Sequence, residues 1–206
     1  MEALTTIATV RRVLRRELGR IWPIFLLGSL VRRRAIITRT RWATPAVHPA
    51  EARYARRLAL ASAVYLSLSA RIGQPRAYAA MRQLLLPIGL AEPRKVLANM
   101  GRLSEHGMAR LMTFQRRMQQ SDGGRFNVRG YHTADATTCH YTITRCVVHE
   151  VFTAAGTPEL TRLICDVDRV FFAQAFPEFT FSRSDSWENT IAYGRPRCAF
   201  MLTLRA

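Results

Sequence analysis

Lysine is nearly missing from this chain. Lys95 is the only one in 206 residues, yet Lys plus Arg number 31 against 14 Asp plus Glu, for a net charge of +17. The positive charge is therefore almost all guanidinium. Arginine without lysine reflects a GC-rich genome as readily as a function, so the plain reading is a solvated basic surface. The sharper readings are an anionic substrate, acidic lipid headgroups or nucleic acid. No recognised nucleic-acid-binding motif accompanies the charge, which sets nucleic acid aside as an expected partner. A long apolar run is also missing. Residues 21–31 form the most apolar stretch, shorter than the ~20 residues that cross a bilayer. No charged segment, apolar run and small-residue cleavage site follow one another as in a secretory signal. The four cysteines, Cys139, Cys146, Cys165 and Cys198, include no Cys-x-x-Cys pair. Reduced thiols in a cytoplasmic protein are the expectation. No internal repeat or low-complexity tract is present.

A hydrophobic content of 49% is ordinary for a globular chain and sufficient for a real core. The organisation expected is a basic, amphipathic helical extension over residues 1–40 and one domain over 50–206. Within the extension, residues 10–18 alternate apolar and basic positions at helical spacing. The apolar run 21–31 follows, closed by Arg32-Arg33-Arg34. Arginine on both sides and a Trp suit a helix lying at a membrane surface, through residues 5–34. The competing reading is a helix packed on the domain or on a second copy in a homo-oligomer. Residues 39–49, with Thr44-Pro45 and His48-Pro49, read as a linker. Residues 50–71 read as a helix whose core face is Leu58, Ala61, Tyr65 and Leu68, ended by Gly73-Gln74-Pro75. Residues 76–86 read as another, stopped near Pro87 and Gly89. Residues 93–119 supply one or two more, and residues 121–124 are a clear break.

Beyond that break the period becomes two. Residues 125–131 alternate with Phe126 and Val128 on one face, and residues 139–145 with Tyr141 and Ile143 on one face. Two helical stretches follow, 146–155 and 158–174. Residues 179–183 and 198–204 then alternate again, the last with Cys198, Phe200, Leu202 and Leu204 facing one way. The fold class expected is α+β: N-terminal helices, then a ββααββ unit with an antiparallel sheet.

The residues with chemical potential gather in that unit. On a helix over 146–155, Cys146, His149, Glu150 and Thr153 share one face, and Val148, Val151, Phe152 and Ala155 the opposite one. Gly156 is a natural stop and Pro158 a natural start. On the next helix Leu160, Leu163, Ile164, Val167 and Phe171 form the core stripe. Arg162, Asp166 and Arg169 are polar, and Cys165, Asp168 and Phe172 form a third strip. The expectation is that Cys146, His149, Cys165 and Asp168 converge in one cleft.

The ordered set Arg145-Cys146…His149-Glu150, Gly156…Pro158-Glu159-Leu160, Cys165…Asp168, Pro177…Phe181…Arg183 and Thr190-Ile191-Ala192…Gly194…Cys198…Phe200 resembles the L-2-amino-thiazoline-4-carboxylic acid hydrolase family. The resemblance is strongest from about Phe126 onward. It implies a small-molecule hydrolase that opens a C–N/C–S heterocycle at a cyclic amidine-like carbon, by attack of water or of a thiolate. The family usually reads Cys-Asp-Phe near the end, where this chain has Cys198-Ala199-Phe200.

Such a reaction needs a base near the water, an acid near the leaving group and a cation for the substrate carboxylate. Glu150 or Asp168 suit the base, and His149 a proton shuttle. Cys146 or Cys165 suit a thiolate nucleophile, with Cys198 completing the set. Arg145 and Arg183 are the arginines inside the motif region and the candidates for substrate binding. No cofactor is required. The set Cys146, His149, Cys165, Asp168 and Cys198 also has donor types that zinc or iron would accept, although zinc sites usually show tighter Cys-x-x-Cys pairs. Taken singly, each of these residues reads as structural, since free cysteines are common in cores. A non-catalytic protein that binds a small ligand, or serves as a scaffold, on the same fold is the alternative from a different class. Ala199 and the basic N-terminal helix favour it.

Overall fold

The computed structural model describes residues 2–101 and 106–205; side chains are described from Ile7 onward. The element order is α1 (Glu2–Leu18), α2 (Trp22–Thr38), α3 (Pro49–Ile72), α4 (Gln74–Asn99), α5 (Gly107–Gln120), β1 (Val128–Ala134), β2 (Thr138–Arg145), α6 (Val147–Ala154), α7 (Leu160–Ala175), β3 (Phe179–Ser182) and β4 (Cys198–Leu204). Helices precede a ββααββ unit, so the chain is α+β. Its four strands form one antiparallel sheet in the order β1-β2-β4-β3. The chain divides into two compact units. One joins the residues up to Gly89 with Glu150–Ile164, and the other joins Leu90–His149 with the residues from Cys165 on.

In the first unit the apolar run is not one helix with the basic stretch before it. Gly19, at φ +61, ends α1 in a left-handed turn that favours glycine, and Pro23 sits at the start of α2. α2 packs along α3. Ala52, Ala55, Ala59 and Ala63 of α3, on one stripe, are all buried, and small residues let packed helices approach closely. The expected linker is packed instead. Residues Arg41–Ala43 form a 3-10 turn that buries Trp42, whose Nε1 donates to Glu51 Oε1 at 3.2 Å. Arg41 Nη2 reaches the same Glu51 oxygen at 2.6 Å, with its guanidinium 4.5 Å from the Trp42 ring centre. Gly156 does stop α6: it stands at φ +74 and lets Thr157 N–H close on Phe152 O at 2.8 Å.

The helix expected to stop at Pro87 and Gly89 runs on. α4 spans 26 residues through Pro87, Gly89 and Pro93, and the division between the two units falls at Gly89 within it. Burial overrides the poor local propensity here, with Leu84 and Leu85 buried on one side of that point and Leu90 on the other. Residues 102–105, between α4 and α5, lie outside the described residues.

In the second unit one face of the sheet is lined by Cys139, Tyr141, Cys198, Phe200, Leu202 and Phe179, all buried. α5 and the end of α7 supply aromatic rings to this core. Phe114 stacks on Phe171 at 5.0 Å between centroids, and Phe172 meets Phe181 at 4.8 Å. Tyr141 and Phe200, neighbours across the β2–β4 register, stack at 4.6 Å. β1 begins later than its alternation suggests. Phe126 lies before it, Val128 is exposed, and an irregularity between Val128 and Arg129 shifts the register. The sheet face shared with Tyr141 and Ile143 therefore receives Arg129 and Tyr131, which pair with Ile143 and Tyr141.

Candidate functional site

On the third strip of α7 two residues are buried and Asp168 is half-buried. Cys165 and Phe172 are enclosed along with Leu160, Leu163, Val167 and Phe171, whereas Ile164, expected in the core stripe, is half-buried. Asp168, one turn on from Cys165, faces the end of β3. There Arg183 is the largest fully buried side chain of the described residues, 1% exposed. Its Nη2 donates to Asp168 Oδ2 at 2.9 Å and its Nη1 to the Ala199 carbonyl at 3.3 Å. The guanidinium lies 3.8 Å from the Phe200 ring centre and 5.2 Å from those of Phe181 and Trp187. Asn189 Nδ2 donates to the Arg183 carbonyl at 3.1 Å, and Ser184 takes φ +65 to turn the chain away.

A second arginine completes the charge. Arg129 Nη1 donates to Gln115 Oε1 at 2.6 Å, and the guanidinium lies 4.4 Å from the Tyr141 ring centre. Gln115 Nε2 in turn donates to the Tyr141 hydroxyl at 3.2 Å. Both Arg129 and Arg183 act on the Asp168 charge. The Nε groups of both are buried with no acceptor among the described residues.

Three thiols adjoin this pair of charges. Cys198, on the inward face of β4, accepts from Ile191 N–H at 3.2 Å. Cys146 does not belong to α6 but immediately precedes it, and the N–H groups of Val148 and His149 point at its sulfur. That is the position of an N-cap side chain, which accepts from the second and third residues of a helix. Cys165 senses Arg183, Asp168, Cys198 and Cys146, so the three sulfurs and the ion pair share one neighbourhood. Burial dominates their titration. It pushes the Cys146 thiol up to about 12 against the two helix N–H groups, and raises Cys165 and Cys198 despite the Arg183 cation. At neutral pH all three are thiols, not thiolates. Burial likewise raises the Asp168 carboxyl, with Arg183 pulling against it. Its side chain keeps 37% exposure, so the carboxylate borders an opening although its surroundings are dense.

The expected residues thus divide. Cys146, Cys165, Asp168, Cys198 and Arg183 come together. The His149 backbone reaches Cys146, and its ring is half-buried. Arg145 Nη1 donates to the Phe126 carbonyl at 3.2 Å. Glu150 belongs to the first unit, where Arg41 holds it at 2.7 Å. Among the described residues no three His, Cys, Asp or Glu side chains are grouped as metal ligands. Ala199 pairs with Thr142 across the sheet. Its side chain lies on the face opposite Cys198, on the same side as the Thr142 hydroxyl that bonds His132 Nε2 at 2.8 Å. Arg129, Gln115 and Tyr141 are the site residues that sequence reasoning missed. An arginine at an alternating position of a strand, two residues before Tyr131, was the available signal.

A family model described as L-2-amino-thiazoline-4-carboxylic acid hydrolase matches residues 52–202. The chain belongs to that family. The match starts in α3 and ends in β4, so it takes in the helices as well as the sheet. No curated protein and no solved structure matches the chain.

Proposed function

We propose that this member of the thiazoline hydrolase family is a small-molecule hydrolase that opens a C–N/C–S heterocycle, with Asp168 as general base. The observation that carries the reading is the half-exposed Asp168 side chain flanked by the guanidinium groups of buried Arg183 and half-buried Arg129, whose Nε–H groups are both buried with no acceptor among the described residues. A buried N–H donor without an acceptor is costly, and a substrate carboxylate would satisfy the Nε groups of Arg129 and Arg183. Asp168, held by Arg183, would take a proton from water as the water oxygen adds to the amidine-like carbon. The C–S bond then breaks, and the departing sulfur takes up a proton, leaving a thiol and an N-carbamoyl amino acid. With its sulfur protonated, Cys146 serves better as a wall of the site and a weak donor than as the nucleophile. The absent acid at Ala199 would have faced the other side of the sheet, so its loss leaves this cluster whole. A cytoplasmic, reducing setting would keep the thiols free.

The test is turnover of 2-amino-thiazoline-4-carboxylate and related rings, followed by thiol release. Asp168→Asn is expected to lower kcat about 10²–10⁴-fold, the usual scale of general acid–base catalysis. Arg129→Gln should chiefly raise KM. Cys146→Ser should keep most of the activity, as should Cys139→Ser. His149→Ala separates a proton-shuttling ring, which would cost a similar factor in kcat, from a ring that only packs. A wild-type chain inactive on every such ring overturns the hydrolase reading and leaves ligand binding on the same fold.

A further inference from the structure

α2 presents apolar side chains on both of its faces. Phe25, Ser29 and Ile37 are buried on one side, where α2 runs along α3. On the opposite side Ile24 is 73% exposed, Leu27 64% and Val31 72%, with Leu30 also bare. At 100° per residue these positions form one stripe, about 10 Å long from Ile24 to Val31; Ile21, exposed in the 3-10 turn just before α2, adjoins it. Scattered exposed aliphatics need no explanation, but a continuous stripe of four on one helix does. A helix that is apolar all round is normally covered all round.

The charge around the stripe says what covers it. Residues 1–40 hold nine arginines against two glutamates. Arg20 stands at one end of the stripe, and Arg32 and Arg34 at the other. On α1, Ile7, Ala8, Arg11, Arg12 and Arg15 line a shallow depression of about 460 Å³. No described residue pairs with Arg11, Arg12, Arg15, Arg20, Arg32 or Arg34, all of them exposed. A second copy of this chain would bring the same cations against one another across a two-fold axis. A bilayer surface with anionic headgroups offers what the stripe and its arginines lack: an apolar boundary, with phosphates at its rim. Among the described residues no helix is long and apolar enough to cross a membrane. We infer that α2 lies in the plane of an anionic lipid surface. Ile24, Leu27 and Val31 then enter the acyl boundary, and the flanking arginines sit at headgroup phosphates. This inference is independent of the hydrolase reading.

The full chain is tested by co-sedimentation with vesicles of phosphatidylcholine plus phosphatidylglycerol and with vesicles of phosphatidylcholine alone. Binding is expected only to the first, and to weaken with salt as the screening length shrinks from ~10 Å at 0.1 M to ~3 Å at 1 M. The double variant Ile24→Gln, Val31→Gln should weaken it at least about tenfold, with an unchanged thermal melt because both side chains already face water. Arg32→Gln with Arg34→Gln should reduce the salt dependence. Three results would overturn the inference. They are no binding of wild type to the anionic vesicles, binding indifferent to the Ile24/Val31 pair, or a wild-type dimer that the same pair converts to monomer.

Discussion

Arg183 and Arg41 each grip carboxylates at hydrogen-bonding distance, in opposite surroundings. Arg183 has a fully covered side chain, one acid at 2.9 Å and aromatic rings around it. Arg41 keeps 47% exposure and divides its Nη2 between Glu51 at 2.6 Å and Glu150 at 2.7 Å. The shorter contacts belong to the weaker site. Water screens Arg41, so its pairs contribute little beyond geometry. Arg183 has lost its water, so its one carboxylate partner, helped by the Ala199 carbonyl and the surrounding rings, must offset a large desolvation cost. Distance alone misranks the two; burial decides.

The largest effect should come from removing that partner. Asp168→Ala leaves the Arg183 cation buried and uncompensated, and urea unfolding at neutral pH should show a loss of about 3–5 kcal/mol. Asp168→Asn, which keeps an acceptor, should cost less. Arg41→Ala should cost about 1–2 kcal/mol, mostly from the covered Glu51 and the lost stacking on Trp42. A loss at Arg41 equal to that of Asp168→Ala would break the comparison.

Acidity sharpens it. The folded-state Asp168 carboxyl stands above its unfolded value, so between the two the native chain holds the extra proton. Stability attributable to this group is present below the unfolded value, about pH 4, and is lost as pH rises through the folded one. The difference in unfolding free energy between wild type and Asp168→Asn should therefore drift against wild type over that window. A drift of the opposite sign would mean that Arg183 outweighs burial. The smallest effect is expected from the thiols. In the native chain Cys146, Cys165 and Cys198 should react with iodoacetamide at neutral pH more slowly than they do in urea. A fast-reacting Cys146 would restore the thiolate nucleophile.

Much of the α+β order was legible because its signals are local. The period-two stretches became β2, β3 and β4, and Gly156 ended α6 where a left-handed residue is needed. Periodicity also put Cys165, Asp168 and Phe172 on one strip of α7. It could not say that Cys165 and Phe172 on it are buried or that Asp168 meets a cation, because that depends on Phe181 and Arg183 arriving with a later strand and the residue after it. Pro87 and Gly89 were misleading for the same kind of reason: local propensity forbids a helix that tertiary burial of Leu84, Leu85 and Leu90 sustains.

The sequence by itself determined the succession of helices and strands, the surplus of arginine and the family pattern, since each is written in short-range spacing or in composition. Only the tertiary structure decided which arginine meets which acid. Glu150 shares a helix face with His149 on paper, yet its partner is Arg41, 109 residues away. Asp168 found Arg183, and Arg129 joined them through a shifted β1 register. Ion pairs of this kind rest on contacts between elements far apart in the chain. The free energy that selects among them is desolvation, a property of the packed surroundings and not of any residue alone.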